Sequence, residues 1–516
     1  MLMKSIWGSD LKISIVFLIG MTCSTLVAAL SVSEWNFSYA LDDAYIHMAI
    51  VKNLVNHGLW GVDSFSHASA SSSPLWILVL VPFFALLGEH YFLYTPFILN
   101  VVFQISALYV VFQIVSSFVQ QEKQYQYAVL MMLITPFVPL TFGGMEHSLQ
   151  MFLVVLMLKH FLKYLNTQYN RDKYMLVILA PFIVMVRYED FAFITAIALV
   201  LAVFKREYVL SLVLLVSGLL FVGVFGIISK QYLGLDYIPS SILAKSALGK
   251  EFHLASLIKT TALKFLDNIW LPHIFLMYIL NVLILYKTFL QEKALNYLIV
   301  IFLITLSLHA AFGSFGWLYR YEAYLMIFGL MNIVIYVLKF DVLNKKMFVL
   351  LLLLLAFVKP LFGGFYQSIF GSKNIYEQQV QMGRFVEEFY QGQSIAANDI
   401  GAISYFGDIK LLDIFGLGSM EMIELKRHGN HNTKNVNAIM DRRKVEFMMI
   451  YDPWFDYLSF PNYVKIGEWT VGHNVILGGT TVSFYSRKDL VKENKIKIEK
   501  FSMRSLTKKA VYKSID

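Results

Sequence analysis

The feature that most constrains this chain is a series of apolar runs, at about residues 13–31, 95–119, 125–141, 146–163, 174–187, 190–204, 208–229, 269–287, 296–313, 323–338 and 347–363. A helix crosses the hydrocarbon core of a bilayer in roughly 20 apolar residues. Eleven such runs predict a polytopic α-helical membrane protein, with the shorter ones tilted or borrowing flanking residues. Composition agrees: 58% of residues are hydrophobic and 15% charged, where soluble domains carry about a quarter charged. The run at 11–30 lacks a small-residue cleavage site and reads as a retained anchor. The single cysteine, Cys23, lies within it, which leaves neither a disulfide framework nor a cysteine metal site.

The net charge of +8 reads as basic connectors between spans, and no nucleic-acid partner is expected. Lys4 and Lys12, Lys123, Lys159 to Lys173, Lys205 and Arg206, Lys287 and Lys293, and Lys339 to Lys346 all fall on one side if the N-terminus is cytoplasmic. The segment 75–87 is apolar but short and carries Pro82, with Pro74 just before it. It suits an interfacial or re-entrant helix, which leaves a first external loop at about 32–94. The expected divisions are a membrane module over 1–365, an external α/β domain over 366–487, where polar residues return, and a basic tail over 488–516, solvated or bound to a surface.

This topology gathers the unusual polar residues on the external loops. Asp42-Asp43 opens the first of them, and two adjacent carboxylates at a membrane surface are costly unless used. On a helix, Asp43 shares a stripe with Ile46, Ile50 and Leu54, whereas Asp42 shares one with Ala49, Asn53 and Asn56. Asp43 is thus expected to face the apolar interior and Asp42 the solvent. Either carboxylate suits a general base, and either suits a helix N-cap. Glu146 and His147 follow a Gly-Gly turn, Arg187, Glu189 and Asp190 form a compact charged turn, and Lys245 and Arg320 are cations suited to a phosphate. Glu146 and His147 also suit substrate contact or a metal set with the aspartates. Asn398-Asp399-Ile400-Gly401 reads first as a structural turn.

Several of these elements resemble a known family. Asp42-Asp43-Ala44-Tyr45-Ile46, Asn53-Leu54, Gly58-Leu59 and Ser72-Ser73-Pro74-Leu75-Trp76 are similar to the first-loop signature of GT-C fold membrane glycosyltransferases. The nearest group is the terminal arabinofuranosyltransferases of mycobacterial cell walls and their bacterial relatives. Gly144-Met145-Glu146 resembles its Gly-x-Glu-Thr element, with His147 in place of Thr. Arg187-Tyr188-Glu189-Asp190 resembles its Arg-Pro-Glu-Gly turn, and Pro239 with Ala244-Lys245 its Pro-Asn-x-x-x-Ala-Lys element. Asp399-Ile400-Gly401-Ala402 and Asp413-Ile414-Phe415-Gly416-Leu417 resemble its external-domain signature.

The resemblance implies a GT-C architecture with a C-terminal α/β domain in a bacterial inner membrane. It implies inverting transfer of a sugar from a polyprenyl-monophosphate donor to a glycan or other envelope hydroxyl. Asp42 or Asp43 would act as base, and Lys245, Arg320, Glu146, His147, Arg187 and Glu189 would contact substrate or phosphate. Metal dependence stays open, because some GT-C enzymes need a divalent ion and others do not. A transporter or flippase for a lipid-linked or anionic solute is the competing class. Transporters place ionisable groups near the membrane midplane, whereas here they collect on one face.

Overall fold

The computed structural model describes residues 2–119, 125–237, 254–340, 343–505, 507 and 510–515. Apolar runs become helices wherever they are described. The chain opens with α1 (Leu2–Val32), α2 (Asp43–His57), α3 (Pro74–Phe92) and α4 (Thr95–Phe118). There follow α5 (Tyr125–Ile134), α6 (Phe137–Gly143), α7 (His147–Thr167), α8 (Asn170–Val186), α9 (Phe191–Lys205) and α10 (Tyr208–Tyr232). The bundle is completed by α11 (Leu254–Ile269), α12 (Pro272–Thr288), α13 (Lys293–Phe312), α14 (Ala323–Lys339) and α15 (Leu343–Ile375). Helices therefore occupy all eleven predicted spans. Among the described residues, 6 helices can each cross a membrane by length and composition, or up to 8 if each bent pair is one span. The chain is a multi-pass membrane protein. Its two bends fall at Pro136 (45°) and before Pro272 (88°), where proline removes a backbone donor.

The segment 75–87 forms part of a longer helix than expected. α3 runs 19 residues through Pro82 to a non-helical Gly88 (φ 67°), which is long enough to cross a membrane. Yet both its flanks touch the α2 region. Ser71, just before it, approaches His47 (3.3 Å), Glu89 pairs with Lys52 (2.9 Å), and the carbonyl of Leu93 accepts from the Tyr39 hydroxyl (2.7 Å).

α15 continues ten residues past position 365 and leads through a short π-helical turn into α16 (Gln381–Phe389). The α/β domain then builds a six-stranded sheet in the order β2-β1-β3-β5-β4-β6. β1 (Ser394–Ala397) pairs in parallel with β2 (Lys410–Asp413) and β3 (Phe447–Ile450). β4 (Tyr463–Val471) and β5 (Thr481–Arg487) run antiparallel, and β6 (Ala510–Ser514) pairs antiparallel with β4. Between strands lie α17 (Gly401–Phe406), α18 (Met420–Arg427) and α19 (Thr433–Arg442), and after β5 comes α20 (Val491–Ser505).

The expected solvated tail is corrected here. Asn494, Ile498 and Phe501 recur every three or four residues on α20 and are buried, with Phe501 against Phe385 (5.3 Å) and Trp469 (6.1 Å). The basic residues of α20 mask an ordinary amphipathic stripe, and β6 closes the sheet edge.

Candidate functional site

The Asp42-Asp43 pair divides between two partners. Asp42 occupies the N-cap position of α2 but makes no cap bond to it. Its carboxylate reaches 359 residues along the chain, accepting from the amide of Gly401 at Oδ2 (2.7 Å) and of Ala402 at Oδ1 (2.9 Å). Asp42 therefore caps α17, a helix of the other domain. The contact demands glycine at 401: a Cβ there would lie 2.1 Å from the Asp42 carbonyl oxygen. The helix-face expectation is corrected accordingly. The Asp42 carboxylate meets the α/β domain instead of open solvent, and Asp42 and Asp43 are both half-buried and line one cavity. Helical periodicity records only neighbours within α2, so it carried no sign of a domain docking on Asp42's side.

Asp43 faces a cavity of about 340 Å³ between the bundle and the α/β domain. Its Oδ2 accepts from Nη2 of Arg320 (2.7 Å). Arg320 is 5% exposed and also donates to the Tyr321 hydroxyl (2.8 Å) and to the Met145 sulfur (2.8 Å). Its Nε is buried with no hydrogen-bond partner among the described residues, and such a donor costs free energy until an acceptor meets it. Three successive left-handed residues, Trp317, Leu318 and Tyr319 (φ 48°, 64° and 56°), deliver Arg320 to this position. Strain of this kind is held only where surrounding contacts enforce it. The Lys245 expectation, with the whole segment 239–246, lies outside the described residues.

Glu146, His147, Arg187 and Glu189 come together beside the cavity. Arg187 donates to Glu146 (2.9 Å) and to Glu189 (2.6 and 2.8 Å). Glu146 is fully buried, and its other oxygen lies 3.7 Å from Nε2 of His47. The two guanidiniums are bridged by one ring, since Tyr321 lies 5.2 Å from Arg187 and 4.8 Å from Arg320. His147 packs edge-on against the same ring (5.8 Å). The geometry thus joins these residues to Arg320 through Tyr321.

A third carboxylate completes the acidic side. Asp399 lines the cavity and accepts from Gln379 (2.8 Å) and the Tyr451 hydroxyl (2.8 Å). Burial, the larger cause, and the neighbouring Asp399 carboxylate hold the Asp42 carboxyl above the usual range, against the two amides that lower it. Burial likewise raises Asp399. The sequence signal for Asp399 was the Asp-Ile-Gly-Ala string, which a turn reading set aside; Gln379, Tyr451 and His47 carried no signal. Asp413, in the companion string, accepts from the amides of Phe415 (2.8 Å) and Gly418 (2.7 Å), and so orders the loop that supplies Phe415 and Leu417 to the cavity wall.

A metal set of Asp42, Asp43, Glu146 and His147 is not assembled. Their carboxylates are engaged by Gly401 and Ala402, by Arg320 and by Arg187 respectively. Among the described residues no group of three or more His, Cys, Asp or Glu is placed to hold an ion.

Comparison with known proteins bears on the fold. Residues 373–485 match a family described as a domain of unknown function, DUF8728. No curated protein matches the sequence. The chain is similar to the crystal structure of ArnT from Cupriavidus metallidurans bound to undecaprenyl phosphate, with a TM-score of 0.52, 9% identity, and 92% of this chain and 98% of that one covered. It is similar also to the apo oligosaccharyltransferase of Archaeoglobus fulgidus, with a TM-score of 0.50, 13% identity, and 86% and 69% covered. A complex of that archaeal enzyme with Zn and sulfate gives a TM-score of 0.45 at 12% identity, over 87% and 72%. The helical bundle and its mixed-sheet domain thus share the GT-C fold.

Proposed function

We propose that the protein is a membrane glycosyltransferase that moves a sugar from a polyprenyl-monophosphate donor to a hydroxyl of an envelope glycan or similar acceptor. The observation that carries this reading is the Asp43–Arg320 pair at the cavity wall, a carboxylate and a guanidinium with an unused buried donor. Similarity to a fold neighbour bound to undecaprenyl phosphate favours a polyprenyl-linked donor.

In this reading Asp43 accepts the proton of the acceptor hydroxyl. The acceptor oxygen then attacks the anomeric carbon, and the bond from that carbon to the phosphate oxygen breaks. Polyprenyl phosphate departs with the electron pair, its added charge met by Arg320. One displacement inverts the anomeric centre. Glu146, Arg187, Glu189 and His147 hold Tyr321 and, through it, Arg320. Without donor, Arg320 is the counter-ion of Asp43; a phosphate entering beside Arg320 shares the guanidinium and raises the basicity of Asp43 when the acceptor arrives. We place the loop end of the bundle and the α/β domain on the external face of a bacterial inner membrane, with the N-terminus cytoplasmic, as the basic connectors favour. Lys245 is proposed as a second phosphate contact.

The test is to incubate the purified protein with polyprenyl-monophosphate pentoses and hexoses and an envelope glycan fraction, then read product anomericity by NMR. Inverted glycoside from at least one donor is expected. Retention of configuration would refute the single displacement, and no transfer from any donor would refute the transferase reading.

A further inference from the structure

A second cavity, of about 770 Å³, lies on the far side of α17 from the reaction cavity. Asp399 and Ile400, just before α17, line the reaction cavity, whereas Tyr405 and Phe406, at its end, line the second. Six helical residues separate the two by about 9 Å. Residues following α1 and those at and after the end of α3 form one wall, and the π-helical turn, α16, α17 and α20 form the other. It is a cleft between the loop end of the bundle and the α/β domain.

Its chemistry is aromatic and internally neutralised. Tyr94 is 42% exposed and leans on Phe37 (5.2 Å). Tyr376 is half-buried nearby, and Arg384 lies over the Phe406 ring (4.2 Å). The charges lining the cleft are already compensated: Arg384 pairs with Glu387 (2.7 Å), Glu388 with Arg504, and Glu89 with Lys52 (2.9 Å). Even so, the side chains of Arg384, Glu387 and Glu89 remain 49%, 41% and 45% exposed. Among the described residues a phosphate would find no uncompensated cation here, and an amine no uncompensated carboxylate. Flat rings beside accessible donors and acceptors with balanced charge suit a neutral ligand rich in hydroxyls.

We propose that this cleft is a second glycan-binding site, separate from the reaction cavity, that takes a neutral oligosaccharide segment. The proposal goes beyond the transferase reading and does not require it. Tyr405 and Phe406 also rest on Tyr45 of α2 (6.0 and 5.9 Å). The wall of the cleft is therefore built on the helix that carries Asp43.

The experiment is saturation-transfer NMR on the full chain in phosphatidylcholine nanodiscs, with maltotetraose, chitotetraose and arabinotetraose as probes. At least one is expected to bind in the millimolar range. Tyr94→Ala and Arg384→Ala, both at exposed positions, are each expected to weaken it about tenfold, as loss of one stacking or hydrogen-bonding partner predicts. Asp43→Asn is expected to leave it unchanged. No binding by any probe would overturn the proposal. So would binding that survives both cleft substitutions, binding lost in Asp43→Asn, or displacement of the sugar by dihexanoyl-phosphatidylglycerol through a site that needs Arg384.

Discussion

Gly401→Ala tests the union of the two domains in a single methyl group. The new Cβ would lie 2.1 Å from the Asp42 carbonyl oxygen and 2.7 Å from its Oδ2. Ordinary contact begins near 3.4 Å, and the nearest obstacle is backbone that no rotamer change removes. The first turn of α17 must therefore retreat by about 1 Å. That carries the amides of Gly401 and Ala402 from 2.7 and 2.9 Å past the range of a good hydrogen bond. Hydrogen bonds of this kind contribute about 1 kcal/mol each, so losing both costs about 2 kcal/mol. At about 1.4 kcal/mol per decade, the open population should rise on the order of thirtyfold. Hydrogen exchange of the intact protein in nanodiscs reads this directly at residues 401–406 and in the first turn of α2. Gly20→Ala, with nothing within 4 Å of its Cβ, is the matched control and should change nothing. Wild-type protection at 401–406 in Gly401→Ala would refute the capping role of Asp42.

Three further outcomes follow from the same geometry. Arg320→Lys keeps the charge but loses the planar fork that meets Asp43, Tyr321 and Met145 together; transfer should fall by about a hundredfold, whereas an unchanged rate would remove Arg320 from the reaction. The Asp42 and Asp399 carboxyls are raised by burial, so the folded state keeps protons that the unfolded chain releases above about pH 4. Stability should consequently fall as pH rises above that value, visible as a declining unfolding midpoint that Asp399→Asn flattens; a midpoint rising with pH would contradict the assignment. Asp63 accepts from the amides of Phe65 (3.1 Å), Ser66 (2.8 Å) and Leu411 (3.2 Å). Asp63→Ala should cost about 2 kcal/mol and expose residues 59–73 to protease, and unchanged cleavage there would count against that tie.

The bundle was legible because membrane crossing imposes a length and an apolar content on each helix, and both are local. The sheet domain was legible as far as its strands are short apolar segments between turn residues, as at Ser394–Ala397. The basic end of the chain was misread because its lysines outnumber the three buried positions of α20, which carry the packing. The Asp42-Asp43 pair was legible as a pair, but the partner of each aspartate was not. Periodicity within α2 says where each side chain points relative to its own helix, whereas the choice between them was made by Gly401 and Arg320, 359 and 277 residues away. Asp399 illustrates the same limit, because a turn and a cavity wall can share one sequence.

The central claim is that adjacent aspartates hold different tasks, with Asp43 in the reaction and Asp42 in domain docking. The direct measurement is sugar transfer by Asp43→Asn and Asp42→Asn, each paired with hydrogen exchange at residues 401–406. The account predicts that Asp43→Asn loses about 10²- to 10⁴-fold in rate, the usual worth of a general base, with exchange at 401–406 as in the wild type. Asp42→Asn should accelerate that exchange and retain much more of the transfer. Loss of transfer in Asp42→Asn with docking intact, alongside an active Asp43→Asn, would contradict it.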